Sequence, residues 1–233
     1  MRLLGLDFET TGLDPKNDVV TEVGAVLWDT ERHSPVLIDN YFVFNGKTVL
    51  SDLIIRITGI QQKDLEEFGI PPQEGLIRLV ELVEKCDAIV AHNKSFDKGF
   101  YDYWLNTTVS DAQEIKSVPW ICSMNDIDYP EECKSKKLSY LASDHGFLNP
   151  FAHRAVFDVL TMLRVVDNYD ISVILESAGQ PDLVIEALVS FQNKDLARAE
   201  GFRWDAVKRK WLKTMKKAKW EASRFSFDTV EVK

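Results

Sequence analysis

Two acidic residues near the start of the chain suggest the first chemistry. Asp7 and Glu9 stand two apart at the end of the apolar run 3–8. Side chains alternate along a strand, so both carboxylates of such a pair point the same way. Two anions held side by side attract a hard cation. Hydrolysis of a phosphodiester near neutral pH calls for divalent ions on oxygen ligands, and two ions ~3.5–4 Å apart can steady both the attacking and the leaving oxygen. Two ions need more carboxylates than this pair supplies. Asp97, just after the apolar run 88–91, and Asp158, within a stretch of helical periodicity, are the candidates. His153, five residues before Asp158, adds a base of unperturbed pKa ~6.5, suited to taking a proton near neutrality. D-x-E alone is a weak signal, but the three-part constellation of Asp7 with Glu9, then Asp97, then His153 with Asp158 is a strong one.

These side chains need a scaffold, and the hydrophobic pattern describes one. Segments 3–8, 19–28 and 36–44 are rich in Val, Ile, Leu and aromatics and read as three strands of a meander. The period then lengthens. Leu76, Leu79, Val80 and Val83 keep helical spacing behind Pro71-Pro72, and a strand is expected at 88–91. Phe96, Phe100, Tyr103 and Trp104 suggest one face of a helix, and 120–122 a buried strand. A short helix through Leu138, Leu141 and Ala142 closes at Gly146, and a longer one holds Val156, Val159, Leu160, Leu163 and Val166. Strands first, then alternating helix and strand, imply an α/β mixed sheet flanked by helices. Glu22, inside the second strand, reads as a support for the acidic site, and His33, His92 and His145 as structural.

DFETTGL (7–13), HNKSFD (92–97) and HRAVFD (153–158) occur in an order and spacing that resembles the proofreading-type 3′→5′ exonucleases. These are the DEDD nucleases of the histidine subclass (DEDDh), which include the epsilon subunit of bacterial DNA polymerase III and exonuclease X. The resemblance covers residues 1 to about 170. It implies a ribonuclease H-like fold, Asp7, Glu9, Asp97 and Asp158 as ligands of two Mg²⁺ ions that Mn²⁺ can replace, and His153 as the catalytic general base. It also implies a substrate pocket formed by Phe8, Thr10, Thr11 and Leu13, with Leu13 wedged against the last base, and by Asn93 and Phe96. Ile57-Thr58-Gly59-Ile60 resembles the segment beside the terminal nucleotide, although some relatives carry histidine where Thr58 stands. The expected substrate is the 3′ end of DNA, single-stranded ends first, with release of nucleoside 5′-monophosphates. The same chemistry on RNA is one alternative, and a catalytically silent nucleic-acid-binding polymerase-accessory protein is another. A polymerase or other replication protein is a candidate partner.

Composition sets the outer bounds. The chain of 233 residues is 45% hydrophobic and 28% charged, with three cysteines. It has no apolar run near the ~20 residues of a membrane helix, so no membrane partner is expected. The N-terminus turns acidic after six residues without a signal-peptide pattern, so a cytoplasmic location is expected. The cysteines are too few and too scattered for a disulfide framework or a spaced zinc site, and two are expected to be buried. The net charge of −9 is uneven: residues 192–224 carry 11 Lys and Arg against 4 Asp and Glu, a local +7, while the rest of the chain carries −16.

The helical pattern breaks around 177–182. Two domains are therefore expected, an exonuclease domain at 1–175 and a small basic α+β C-terminal module at 182–233. The module reads as strand 184–191, helix 195–200, hairpin 202–204 with 210–214, helix 216–223 and a strand near 225–232. Arg203, Trp204, Lys208, Arg209, Lys210 and Lys213 form a candidate nucleic-acid grip, since aromatics interleaved with cations stack bases and track phosphates. Equally, the tryptophans could form the module's own core and the lysines a solvated face.

Overall fold

The computed structural model describes residues 1–108 and 115–232. The chain divides into two compact units, Met1–Leu175 and Glu176–Lys233.

The first unit is built on β1 (Arg2–Thr10), β2 (Val20–Asp29) and β3 (Ser34–Phe42), a consecutive antiparallel meander. Two helices that the sequence reading missed follow, α1 (Asp52–Thr58) and α2 (Gln62–Phe68), then α3 (Pro72–Val83). Next come β4 (Ala88–Ala91), α4 (Lys94–Thr108) and β5 (Trp120–Cys122). The unit continues through α5 (Leu138–Asp144) and α6 (Ala155–Val166), and α7 (Ile171–Gly179) runs past its end. The sheet order is β3-β2-β1-β4-β5, with β4 and β5 parallel to β1. It is a mixed sheet flanked by helices, as the hydrophobic pattern implied. Among the described residues no helix is long and apolar enough to cross a membrane.

The two faces of the sheet are divided by β-strand alternation. Leu4, Leu6 and Phe8 of β1 join Val23, Ala25 and Leu27 of β2 on one face, in a core with Leu76, Leu79, Phe100 and Trp104 of α3 and α4. The other face receives α6. There the sheet presents glycine where the helix comes closest. A Cβ on Gly5 would stand 2.6 Å from the Val159 side chain, and one on Gly24 would stand 2.3 Å from the main-chain carbonyl carbon of Ala155. The absence of side chains at these two positions lets α6 lie close to β1 and β2.

Two expectations need correction in detail. The buried stripe of α4 is Asp97, Phe100, Tyr101 and Trp104, which leaves Tyr103 exposed because the helical spacing runs through position 101. The helical pattern ends at Gly179, within the break expected around 177–182. The next strand, β6, is Asp182–Ala187 and stops short of Phe191, because the Val189 N–H turns back to the Ala187 carbonyl and ends the ladder.

The second unit is a four-stranded antiparallel sheet of order β7-β8-β6-β9, with β7 (Arg203–Asp205), β8 (Lys210–Lys216) and β9 (Thr229–Glu231). α8 (Lys194–Ala199) precedes the β7–β8 hairpin and α9 (Lys217–Ala222) follows it. Ile185, Ala187, Ala197, Phe202 and Met215 form its core, with Trp211, Trp220, Phe225 and Phe227 packed against them.

Because a Cβ at position 24 would collide with main chain and not with a flexible side chain, Gly24→Ala must push α6 off the sheet. Urea unfolding should show a loss of ~1–3 kcal/mol. An unchanged midpoint would mean that the helix does not need this close approach.

Candidate metal centre

Asp7 and Glu9 lie on the face of β1 that α6 covers, and strand register places Gly24 opposite Asp7 and Glu22 opposite Glu9. Asp158, in the first turn of α6, completes a set: Asp7, Glu9 and Asp158 each bring a carboxylate oxygen within 4.8 Å of the others. Asp97 arrives from a different direction. β1 pairs with β4 only through Leu3, Leu4 and Gly5. Beyond that point the Phe8 N–H donates to the buried Asp97 carboxylate instead (3.2 Å), so Asp97 adjoins the cluster through β1.

Like charges in a sheltered site repel. Burial, followed by the carboxylates of Asp97, Glu9 and Asp158, holds the Asp7 carboxyl well above the ordinary range. Burial, then the charges of Glu22 and Asp158, pushes Glu9 to about 8. Burial also lifts Asp97 to about 8, against the opposing hydrogen bond from Phe8. Asp158 is raised by burial, against hydrogen bonds from the His153 N–H and the Asn149 amide. Three clustered carboxylates, with a fourth adjoining, are the hard oxygen donors that a divalent cation takes.

Asp158 is aimed by its own loop. The His153 N–H donates to one of its oxygens (2.8 Å) and the Asn149 amide to the other (2.6 Å). To make this contact His153 adopts φ +63°, in the left-handed region, with its imidazole exposed beside the cluster. Arg154 stands at the residue before α6, and its side chain turns inward to Glu22, which is fully buried. Its Nη2 donates to Glu22 at 2.8 Å and its Nε reaches both oxygens at 3.2 Å. The Ala155 N–H and the Asn40 amide also donate to Glu22 (3.2 and 3.1 Å). Glu22 is thus a support, and the start of α6 is pinned to β2.

The residues expected around a substrate are placed unevenly. Leu13 is 84% exposed at the tip of a turn. That turn is held by Thr10 donating to the Gly12 carbonyl (2.6 Å) and by Thr11 donating to Asp18 (3.1 Å) while accepting from the Val19 N–H (3.0 Å). Asn93 is exposed at the start of α4, and Phe96 is half-buried against Phe100. Phe8 and Thr58 depart from expectation. The Phe8 ring lies in the core against Trp104, on the face away from the carboxylates. Thr58 is buried with its hydroxyl between the Ile54 carbonyl and the Ile60 N–H. Both support walls and offer no side-chain surface to a ligand.

Sequence reasoning missed Asn149, Arg154 and the exposed pair Phe151 and Phe157, which flank His153 in the sequence and whose rings lie 4.7 Å apart. Arg154, next to the histidine, carried a signal, since a cation flanking an acidic block invites a search for a buried partner. Among the other histidines, His92 is held between the Ser123 hydroxyl and the Lys136 carbonyl, and His145 between the Leu141 carbonyl and the Tyr169 hydroxyl. Cys86 and Cys122 are buried.

Four of the residues expected to grip nucleic acid, Arg203, Trp204, Lys208 and Arg209, are exposed in the second unit. The other two are partly engaged there: Lys210 pairs with Glu186 (2.7 Å), and Lys213 donates to the Glu200 carbonyl (2.7 Å).

Comparison with known proteins adds to this picture. Residues 4–166 match a family described as Exonuclease, and residues 183–232 match one described only as a domain of unknown function. The chain is 31% identical over 154 residues to the PolC-type DNA polymerase III of Thermotoga petrophila, covering 66% of this chain and 10% of the polymerase. It is 32% identical over 124 residues to the DNA polymerase III subunit epsilon of Buchnera aphidicola, covering 49% of this chain and 47% of that subunit. The chain thus spans about a tenth of the length of the PolC-type relatives it matches. Among solved structures, Escherichia coli exonuclease I in complex with a dA16 oligonucleotide superposes with a TM-score of 0.62 at 17% identity, covering 85% of this chain and 50% of that one. The nuclease domain of 3′hExo, a DEDDh family member bound to rAMP, superposes with a TM-score of 0.58 at 18% identity, covering 72% and 90%. These likenesses establish a common fold.

Two outcomes follow from the electrostatics. With carboxyl pKa values raised in the folded state, the metal-free protein binds more protons than the unfolded chain between the ordinary Glu9 value of 4.5 and about 8. Its stability should therefore fall as pH rises through that window. Added divalent ion should raise the melting temperature most at the upper end, and a metal-free melting temperature that climbs from pH 5 to pH 8 would contradict the crowding. Arg154→Ala strands the buried Glu22 carboxylate. The cost should be ~3 kcal/mol, at the low end for a broken buried pair because Arg154 is 34% exposed. The double variant Glu22→Gln, Arg154→Met should recover part of the loss in chemical denaturation.

Proposed function

The chain belongs to the exonuclease family, and from that premise we propose that it is a 3′→5′ exonuclease of the DEDD histidine subclass, which trims the 3′ end of single-stranded DNA and releases nucleoside 5′-monophosphates. The observation that carries this reading is the convergence of Asp7, Glu9 and Asp158 within 4.8 Å, with the His153 N–H bonded to Asp158. Asp7, Glu9, Asp97 and Asp158 would hold two Mg²⁺ ions, for which Mn²⁺ could substitute. When bound, such ions stabilise the charge that builds on the phosphate as the ester breaks. His153 takes the proton from the attacking water. Asn149 and the His153 main chain keep the Asp158 carboxylate turned to the cluster. Leu13, on its braced turn, packs against the terminal base, and Asn93 and Phe96 belong to the same substrate surface.

DNA is favoured because the polymerase III proteins it resembles are named as DNA polymerases and exonuclease I was solved with a DNA oligomer. A polymerase or another replication protein is the partner that this kinship suggests. The second reading, trimming of RNA, is favoured by the likeness to the domain bound to rAMP. Degradation of end-labelled DNA and RNA strands of matched sequence separates the two.

Hydrolysis should require added divalent ion and stop in EDTA. Asp7→Ala and Asp158→Asn should each abolish it while leaving the far-UV circular dichroism of the chain intact. Near-normal turnover in either variant would remove that residue from the ligand set. His153→Ala should slow single-turnover cleavage by ~10²–10⁴-fold with metal affinity nearly unchanged. The deficit should narrow as hydroxide becomes available at higher pH, so a constant ratio to the unmutated enzyme across pH would rule against a base.

A further inference from the structure

The basic second unit owes less of its exposed chemistry to its lysines than its composition suggests. Lys210 is paired with Glu186, Lys213 is half-buried with its ammonium on the Glu200 carbonyl, and Lys216 is buried with Asp182 (3.0 Å). These three cations support the sheet. What the unit brings to its surface instead is a connected strip of rings and cations, exposed at Phe191 and Trp204 and half-buried at Trp211. Phe191, 81% exposed in a 3₁₀ turn, has the Lys194 ammonium 4.1 Å from its ring centre. Lys194 and Arg198 lie four residues apart on α8 and therefore share one face of it. The Arg198 guanidinium, which also pairs with Asp195 (3.3 Å), sits 5.9 Å from the Trp211 ring centre. Trp211 is the direct cross-strand partner of Trp204, their rings 5.7 Å apart. Trp204 stands on the edge strand β7, 51% exposed.

A soluble unit gains nothing in stability from leaving a phenylalanine and a tryptophan in water, and cations placed over or beside rings suit a ligand with both flat apolar faces and negative charge. Single-stranded nucleic acid has both, because its unpaired bases stack on aromatic rings while its phosphates meet Lys and Arg. We propose that Phe191, Lys194, Arg198, Trp211 and Trp204 form a base-stacking strip for single-stranded nucleic acid, with Lys208 and Arg209 at the hairpin tip contacting phosphates. The proposal rests on the exonuclease reading for its choice of ligand. It moves the expected grip away from Lys210 and Lys213 and onto α8 and the exposed rings. It also assigns a role to the segment that matches a domain of unknown function.

The test measures fluorescence anisotropy of labelled dT20 and rU20 with the full chain in EDTA, which leaves the strands uncut. Trp204→Ala and Phe191→Ala should each weaken binding about tenfold, as loss of one stacking ring does. Trp204→Phe should restore most of the affinity, which a folding defect would not explain. The loss from Trp204→Ala should persist as salt rises, whereas the loss from Arg198→Gln should fade with the electrostatic contribution. Comparison of the two strands reports whether the strip distinguishes DNA from RNA. Equal affinity of the unmutated chain and both alanine variants for both strands would overturn the strip and point to a protein ligand for the rings. Cleavage of a dinucleotide by the unmutated chain with Mg²⁺ is scored separately. Its absence would count against the exonuclease reading, while unchanged strand affinity in the ring variants counts against the strip alone.

Discussion

Glu22 lies fully buried in β2, accepts hydrogen bonds from Arg154, Ala155 and Asn40, and through them fixes where α6 begins. The position of Asp158 depends on that contact, because it lies in the first turn of the pinned helix. Strand register sets the other side of the site. Glu22 faces Glu9, and Gly24, two residues on, faces Asp7, so one face of the β1–β2 pair carries two ligand candidates, the clamp and the gap through which the helix approaches. A carboxylate at the start of a helix is also favoured by the helix dipole and by its unpaired N–H groups. Here the carboxylate comes from a strand on the far side of the sequence and not from the helix's own cap.

Two acidic groupings thus sit side by side with opposite solutions. Glu22 is neutralised from within the chain by a forked guanidinium contact, which suits a planar carboxylate. Among the described residues no Lys or Arg lies within ion-pair distance of Asp7, Glu9 or Asp158. Burial and mutual repulsion raise the carboxyls of that cluster above their ordinary range, a condition that a cation from outside would relieve. A fold that provided an internal cation there would be more stable alone and less able to hold divalent ions. The contrast between the satisfied clamp and the unsatisfied cluster is the strongest physical sign of a working site in this chain.

The second unit shows how composition misleads when partners are hidden. A local surplus of +7 suggested an electrostatic grip spread over its cations. In the fold, Lys210 and Lys216 answer acidic residues on the neighbouring strand β6, which lies outside the basic segment. Of the tryptophans, Trp211 and Trp220 pack against the unit's core and Trp204 stays largely in water. Register and edge position thus divided the aromatics between core and surface.

Much of the first unit was legible from local pattern. The meander, the β4–α4–β5 alternation and the final helix follow from two periods, 2 for strands and 3.6 for helices, which neighbouring residues impose on one another. The order of the DFETTGL, HNKSFD and HRAVFD blocks likewise marked Asp7, Glu9, Asp97, His153 and Asp158 before any geometry was known. α1 and α2 escaped notice: each buries a single residue, Thr58 and Leu65, so neither shows a continuous apolar stripe. Phe8 and Thr58 lie within the right motifs, yet their surroundings turn them inward, since a strand sends alternate residues to opposite faces and a helix end can bind its own hydroxyl. The sequence alone therefore determined which residue types the site would use and the elements that carry them. Tertiary structure alone decided that Glu22 would meet Arg154 across 132 residues and that Asp158 would meet Asp7 and Glu9, because no rule of local period or composition reaches that far along a chain.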